Sequence, residues 1–366
     1  MQFLLKFPQT LIINIIVIIV LPHISLTWDL SVLKISPTYY ASSVAVYKNR
    51  VFLALPRSSC FNNLTNPTLI EAPWFNEGKY GLFRKKMYPH YKEQKWGSCK
   101  DHQDVVSIDL DPKKAKLWVL DRGNRKCLPK IVIYNLHYNT IGQSCKLSDD
   151  LIIGEKLSVL VVDPIEDNIG KKAYIGGLDN HILIFSLRGL KLWKIQVLNP
   201  VDLNLSISTS SLAISTIESV LFLSGISDIN LHSFNLTILK HYHEIYSNKK
   251  EVYLQINITT IGEKLGPSSS MIADSGSALY YYLIRDYAVV KWNSSTPLIA
   301  ENHNVLMQTY EALPYVSQIF YGPKDTIWAL VNPWKPQTCQ DFKRNTFPLD
   351  KTSPKLKSRI VKLGQR

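Results

Sequence analysis

The chain has 366 residues, of which 46% are hydrophobic and 19% charged, and a formal net charge of +13. That apolar content excludes wholesale disorder, and the length suits either two ordinary domains or one large domain built from repeats. The excess of 42 Lys and Arg over 29 Asp and Glu favours acidic partners, although the cations are scattered along the chain, as on any solvated basic surface.

At the N-terminus Lys6 precedes LIINIIVIIVLP, an apolar run of about the length of a signal-peptide core. Ser25 and Thr27 are small residues suited to cleavage, so residues 1–27 are expected to be a signal peptide. Pro8, Asn14 and Pro22 leave too short an uninterrupted run to span a bilayer, and no later segment is long and apolar enough. The expectation is a secreted, extracellular protein without a transmembrane anchor. Five glycosylation sequons, at Asn63, Asn204, Asn235, Asn257 and Asn293, agree with it.

Strand-like cores then recur along the chain: VFLAL at Val51, LWVL at Leu117, AYIG at Ala173, LFLS at Leu221, LYYY at Leu279 and IWAL at Ile327. Their mean step is about 55 residues, in the range of propeller or solenoid repeats. A short strand-like run comes before most cores and another follows several, with almost no helical periodicity. Six such units predict an all-β chain, a six-bladed β-propeller of four-stranded antiparallel blades over residues 28–340. The alternative is a pair of β-sandwiches, but the recurring order and the absence of a linker favour the propeller. From Asp341 to Arg366 the periodicity stops, and a basic, Pro-punctuated, largely disordered tail is expected.

LWVLDRGNRKCLPKIVIYNL, from Leu117 to Leu136, reads as two antiparallel strands, with turn chemistry at Asp121-Arg122-Gly123 and Pro129 at the start of the second. A hairpin turn at Tyr138–Thr140 returns Cys145 toward Cys127, which predicts a bridge between them. Cys60 and Cys99 flank an insertion between the first two units and form the expected second pair, leaving Cys339 over. None of the five cysteines lies in a close pair, so zinc ribbons are unsupported.

RVFLALPR, PTLIEAPW, Cys99 followed by VVSIDLDPKKAKLWVLDRG, and then CLPKIVIYNL together resemble the yellow and major royal jelly protein family of insects. The resemblance is sharpest from Asn49 to Leu136 and extends over about Trp28 to Trp334. It implies a secreted six-bladed propeller of a family that includes pigmentation proteins, dopachrome-converting enzymes and binders of biogenic amines.

Signatures of chemistry are sparse. No zinc helix, phosphate loop or nucleophile elbow is present, and His241 and His243, on one strand face, lack an evident third ligand. No cofactor or nucleic-acid partner is called for. The central channel is the expected site, at the mouth where the inner strands begin. Its candidate ligand residues are Asp104, Ser211, Ser270, Gln318, Phe320 and Asn332, the last because the family's matching strand commonly ends in Asn. Three functions fit: a non-catalytic binder of small aromatic or amine ligands, a dopachrome-converting tautomerase, and a cuticle-associated protein that meets acidic extracellular surfaces.

Overall fold

Each of the six apolar cores becomes the second strand of a sheet. The computed structural model describes residues 27–33, 40–57, 64–74, 86–147, 156–168, 170–198, 207–239, 251–333 and 358–365. Strand β1 (Thr27–Asp29) stands apart at the start. Blade one is β2 (Ser43–Tyr47), β3 (Arg50–Ala54), β4 (Leu69–Pro73) and β5 (Lys86–Met87). Blade two is β6 (Val105–Asp111), β7 (Lys116–Asp121), β8 (Lys130–Asn135) and β9 (Thr140–Lys146). Blade three is β10 (Leu157–Val162), β11 (Lys172–Gly177), β12 (His181–Ser186) and β13 (Lys191–Leu198). Blade four begins with β14 (Ser211–Ser215), β15 (Val220–Ser224) and β16 (Asn230–Asn235); β17 (Glu251–Asn257) follows, and β18 (Thr259–Glu263) completes the blade. Blade five is β19 (Ser268–Ala273), β20 (Ala278–Leu283), β21 (Ala288–Asn293) and β22 (His303–Gln308). Blade six is β23 (Tyr315–Gly322), β24 (Thr326–Asn332) and β25 (Arg359–Gln365), completed by β1. The protein is an all-β, six-bladed propeller.

The second strands carry continuous apolar runs because each blade is covered on both faces, the condition under which alternation disappears. Leu117, Trp118, Val119 and Leu120 are all fully buried, whereas the outermost strand of the same blade is mostly exposed. Six hydrophobic clusters fill the six clefts between neighbouring blades. The turn after each innermost strand contains a left-handed residue: Lys48, Ala115, Gly170, Ser219, Ser277, and both Lys324 and Asp325. Only one of these is glycine, so the turns leave almost no glycine signature in the sequence.

Two features depart from the expected plan. Strand β17 leaves its own blade and pairs in parallel with β13, giving blade three a fifth strand. Its Val252, Leu254 and Ile256 are buried against blades three and four while Tyr253, Gln255 and Asn257 face solvent, an alternation typical of a strand with one covered face. The tail expectation is corrected at its end. Ile360 and Val361 are fully buried, and β25 pairs with β24 on one side and β1 on the other. The basic composition concealed this strand, because Arg359 and Lys362 alternate with Ile360, Val361 and Leu363 in a short run. Residues 341–357 lie outside the described residues, as do most of residues 1–27.

Truncation after Ser358 removes β25 and strands β1 without a partner. Such a chain is expected to lose its cooperative thermal transition in near-ultraviolet circular dichroism; a melting temperature equal to that of the full chain would contradict this account of closure.

Candidate functional site

All six innermost strands begin at the same face of the propeller and contact one another in a closed ring. Around much of that ring a side chain of one inner strand accepts a hydrogen bond from the backbone of the next. Gln318 Oε1 accepts from Val44 N at 2.5 Å, Ser43 Oγ from Ile108 N at 3.1 Å, Ser107 Oγ from Leu160 N at 3.0 Å, and Ser270 Oγ from Ile319 N at 2.8 Å. These bonds cross from blade six to one, one to two, two to three and five to six. Asp109 adds a second link from blade two to three, its Oδ2 accepting from Val162 N at 2.7 Å. Burial pushes the Asp109 carboxyl up to about 6, against the opposing effect of its backbone donors.

Among the described residues no such bond crosses from blade three to four or from four to five. There the hydroxyls of Ser158, Ser211 and Ser268, at the starts of β10, β14 and β19, are buried and have no hydrogen-bond partner. Ser211 is 3% and Ser268 0% exposed. A buried hydroxyl left unpaired costs about 1–3 kcal/mol, so three at neighbouring strand starts call for an explanation.

A second concentration of polar groups lies under the same face, at Asp121. This residue ends LWVLD and is fully buried. Its Oδ1 accepts from the backbone N–H of Asp104 and Gly123 at 2.8 and 2.9 Å, and its Oδ2 from that of Gln103 at 2.8 Å. His102 Nδ1 and Lys130 Nζ stand 3.5 and 3.6 Å from Oδ2. Burial opposes ionisation, but His102 beside it, the charge of Lys130 and the Gln103 N–H outweigh it and hold the carboxyl at about 2. His102 Nε2 lies 2.6 Å from Tyr134 OH, but its Nδ1, 3.5 Å from Asp121, makes no hydrogen bond, so the Asp–His–Tyr series only superficially resembles a proton relay. None of the three is more than 2% exposed, so no substrate proton is within reach and the series serves the fold. Gly123 is required beside it: its φ is +75°, and a Cβ would stand 2.2 Å from Cys127 O.

This cluster corrects the cysteine pairing. Cys127 is bonded to Cys99, with a Cα–Cα distance of 5.0 Å, and neither the Cys127–Cys145 nor the Cys60–Cys99 bridge forms. The β8–β9 register sets Cys145 opposite Ile131, so the returning strand has not reached Cys127 when Cys145 is placed. Cys99 arrives instead because the segment before β6 folds down over Asp121. Cys60 and Cys339 lie outside the described residues.

The other candidate residues are distributed unevenly. Ser211 and Ser270 lie on the ring, Ser270 with its hydroxyl already engaged. Gln318 and Asn332 act in the fold. Asn332 is fully buried; its Oδ1 accepts from Ala41 N at 3.0 Å and its Nδ2 donates to Ala41 O at 2.9 Å and to Ser317 Oγ at 3.0 Å. Phe320 lies in the core between blades six and one, edge-on to Trp74, and does not form a channel wall. Asp104 is buried beneath the loops, its Oδ1 accepting from Arg57 N and its Oδ2 2.5 Å from Arg122 Nε. Burial raises its carboxyl, with Arg122 opposing. Sequence reasoning missed His102, Gln103 and Lys130; the one available signal was DHQD, polar yet placed directly before an apolar strand. It also missed Lys264, 5% exposed, whose Nζ donates to Ser224 Oγ, Asp228 O and Asn230 O. Burial brings Lys264 down to about 8 against the pull of Asp228. His241, His243 and Trp334 lie outside the described residues.

A sequence profile of the family described as Major royal jelly protein matches residues 104–361. Major royal jelly protein 9 of Apis mellifera is 23% identical over 254 residues, covering 63% of this chain and 58% of the relative's own length. Among solved structures, a nidogen/laminin complex aligns with 71% of the chain and 78% of its own at 13% identity and TM-score 0.45. The structure of U3-55K aligns with 88% and 81% at 10% identity and TM-score 0.47.

Asp121→Asn is expected to destabilise the protein by about 3 kcal/mol, because the buried Lys130 ammonium then loses the carboxylate beside it. The folded carboxyl titrates below the unfolded one, so its contribution is present above pH 4 and is lost as pH falls through about 2. The contribution is roughly 2 kcal/mol, and urea midpoints measured from pH 5 to 2 should fall less steeply in the variant. Asn332→Ala, which leaves both polar groups of Ala41 unmatched, is expected to lower stability by about 2–4 kcal/mol in the same assay.

Proposed function

Because the chain belongs to the major royal jelly protein family, we propose that it is a secreted, non-catalytic propeller that binds a small aromatic or amine ligand at the channel mouth, on the side of blades three to five. One observation carries the reading: Ser158, Ser211 and Ser268 keep unengaged hydroxyls at neighbouring strand starts, while the equivalent groups elsewhere on the ring are spent on backbone; all three hydroxyls are buried in the unliganded chain, so the reading requires ligand entry to uncover them. Hydroxyls both donate and accept, so they suit a ligand bearing an ammonium and phenolic groups. Ser211 stays as a candidate ligand residue, joined by Ser158 and Ser268; Ser270, Asn332, Gln318, Phe320 and Asp104 leave the list because their groups are occupied or sealed in a core.

Secretion and glycosylation belong to the same proposal. No helix among the described residues is long and apolar enough to cross a membrane. Asn235, Asn257 and Asn293 are exposed. The hydroxyls of Thr237 and Ser295 donate to the side-chain oxygens of Asn235 and Asn293 at 2.7 and 2.8 Å, which leaves both amide nitrogens at the surface. Asn63 and Asn204 lie outside the described residues.

A tautomerase reading rests on Asp109, an inner-strand carboxyl poised at about 6 and suited to proton transfer near neutral pH. Dopachrome turnover that disappears in Asp109→Asn would favour it over simple binding.

Calorimetry with serotonin and dopamine tests the main proposal. Ser211→Ala and Ser268→Ala are each expected to weaken binding by about 1 kcal/mol without lowering the melting temperature of the unliganded protein, since each removes a buried unpaired hydroxyl. Saturating titrations without heat, or unchanged affinity in the double variant, would remove the channel from consideration. The protein secreted from insect cells should also lose mass on glycosidase treatment, and Ser295→Ala should remove one glycan.

A further inference from the structure

The Asp121 cluster sustains two loops at the surface, residues 91–103 and 122–129, and the side chains those loops expose are mostly cations. Lys92, Lys95, Lys100, Arg125 and Lys126 are all exposed, and Lys146 adjoins them at the end of β9. None of the six enters an ion pair among the described residues. The acids of the same loops, Glu93 and Asp101, are half-buried. Trp96 stands among the cations at 36% exposure, its ring 5.6 Å from the Arg57 guanidinium.

The two loops are tied to each other as well as to the blade. Gln103 Nε2 donates to the carbonyls of Lys95, Ser98 and Asp101 at 3.0, 2.7 and 3.1 Å. Its Oε1 accepts from Gly97 N at 2.7 Å and, across the gap, from Asn124 Nδ2 at 2.8 Å. Asn124 Oδ1 in turn accepts from the N–H of Lys126 and Cys127 at 2.8 and 3.0 Å. Lys130 Nζ donates to Cys99 O and Asp101 O at 3.0 and 2.5 Å, and the Cys99–Cys127 bond ties the loop that carries Lys100 to the loop that carries Lys126. Like charges repel, and only such bracing keeps them on one small surface. A surface held in that state favours a partner that brings many anions at once.

We propose that these disulfide-tied loops form a docking surface for a linear sulfated polysaccharide. Its repeating sulfates match cations fixed at several points, and a sugar ring can lie on the exposed indole. A membrane fits less well, since among the described side chains Trp96 and Leu128 are the only large apolar ones exposed on the two loops. The site is separate from the channel mouth and does not depend on the ligand reading above.

The test uses the full secreted protein and a heparin octasaccharide, titrated between 50 and 200 mM salt. Binding should weaken steeply with salt, as expected when counterions are released. The Lys100→Ala/Arg125→Ala/Lys126→Ala variant should bind at least tenfold more weakly with a shallower salt dependence and an unchanged melting temperature. Trp96→Ala should weaken binding several-fold and leave the salt dependence as it was. Ser211→Ala/Ser268→Ala should bind the octasaccharide like the parent. Equal affinity of parent and triple variant overturns the proposal, and so does capture on phosphatidylserine vesicles with no octasaccharide binding. If the triple variant melts early, Lys126→Ala alone, whose side chain is exposed, decides by the same salt titration.

Discussion

Six sheets stacked face to face in a ring must meet their own beginning, and that closure is the constraint on which the rest depends. Each blade lends one face to each neighbour, so an open ring would expose two apolar faces at once. The chain closes it with material from both ends: β1 from the start and β25 from the finish complete the sixth blade around β24. Asn332 then joins the end of β24 to Ala41, just before blade one, while Leu30, Leu33 and Ile360 fill the last cleft beside Phe320 and Trp328. Residues far apart in sequence thus become the least replaceable contacts in the molecule.

Once the ring is closed, polar groups at one face fall into three kinds. Some, such as Ser43, Ser107, Ser270 and Gln318, stitch one inner strand to the next. Some, such as Asp121, Gln103 and Lys130, are buried groups that bond one another or the loop backbone and hold the loops in place. A few hydroxyls, on blades three to five, have nothing to bond to. The stitched and satisfied groups contribute to the fold, while the remainder make no hydrogen bond in it. The same division explains why strong pKa perturbation at Asp121 does not mark an active site: the groups that shift it also seal it from solvent.

The cations on the disulfide-tied loops follow from the same economy. Asp121 neutralises positive charge inside, Gln103 fixes the loop backbones, and the exposed lysines are left without acids to pair with. A buried network that large, under loops that complete no blade, makes sense if the surface above it has work to do.

The sequence by itself determined the repeat. Buried second strands must be apolar on both faces, so VFLAL, LWVL, AYIG, LFLS, LYYY and IWAL were visible as six units, and the family likeness was legible in LWVLDRG and CLPKIVIYNL. It also placed one inner-strand start at Ser211 and came within two residues of another, Ser268, at Ser270. Tertiary structure alone decided which polar groups are spent. Asn332 and Ser211 look alike as candidates, yet one finds Ala41 from the other end of the chain and the other finds nothing. It decided the cysteine partner through strand register and the packing of an insertion, neither of which leaves a periodic trace. It made a strand of residues 359–365, because three apolar side chains among cations are a weak signal until a cleft exists to receive them. Local pattern records what each residue needs; the closed ring decides whether a distant residue supplies it.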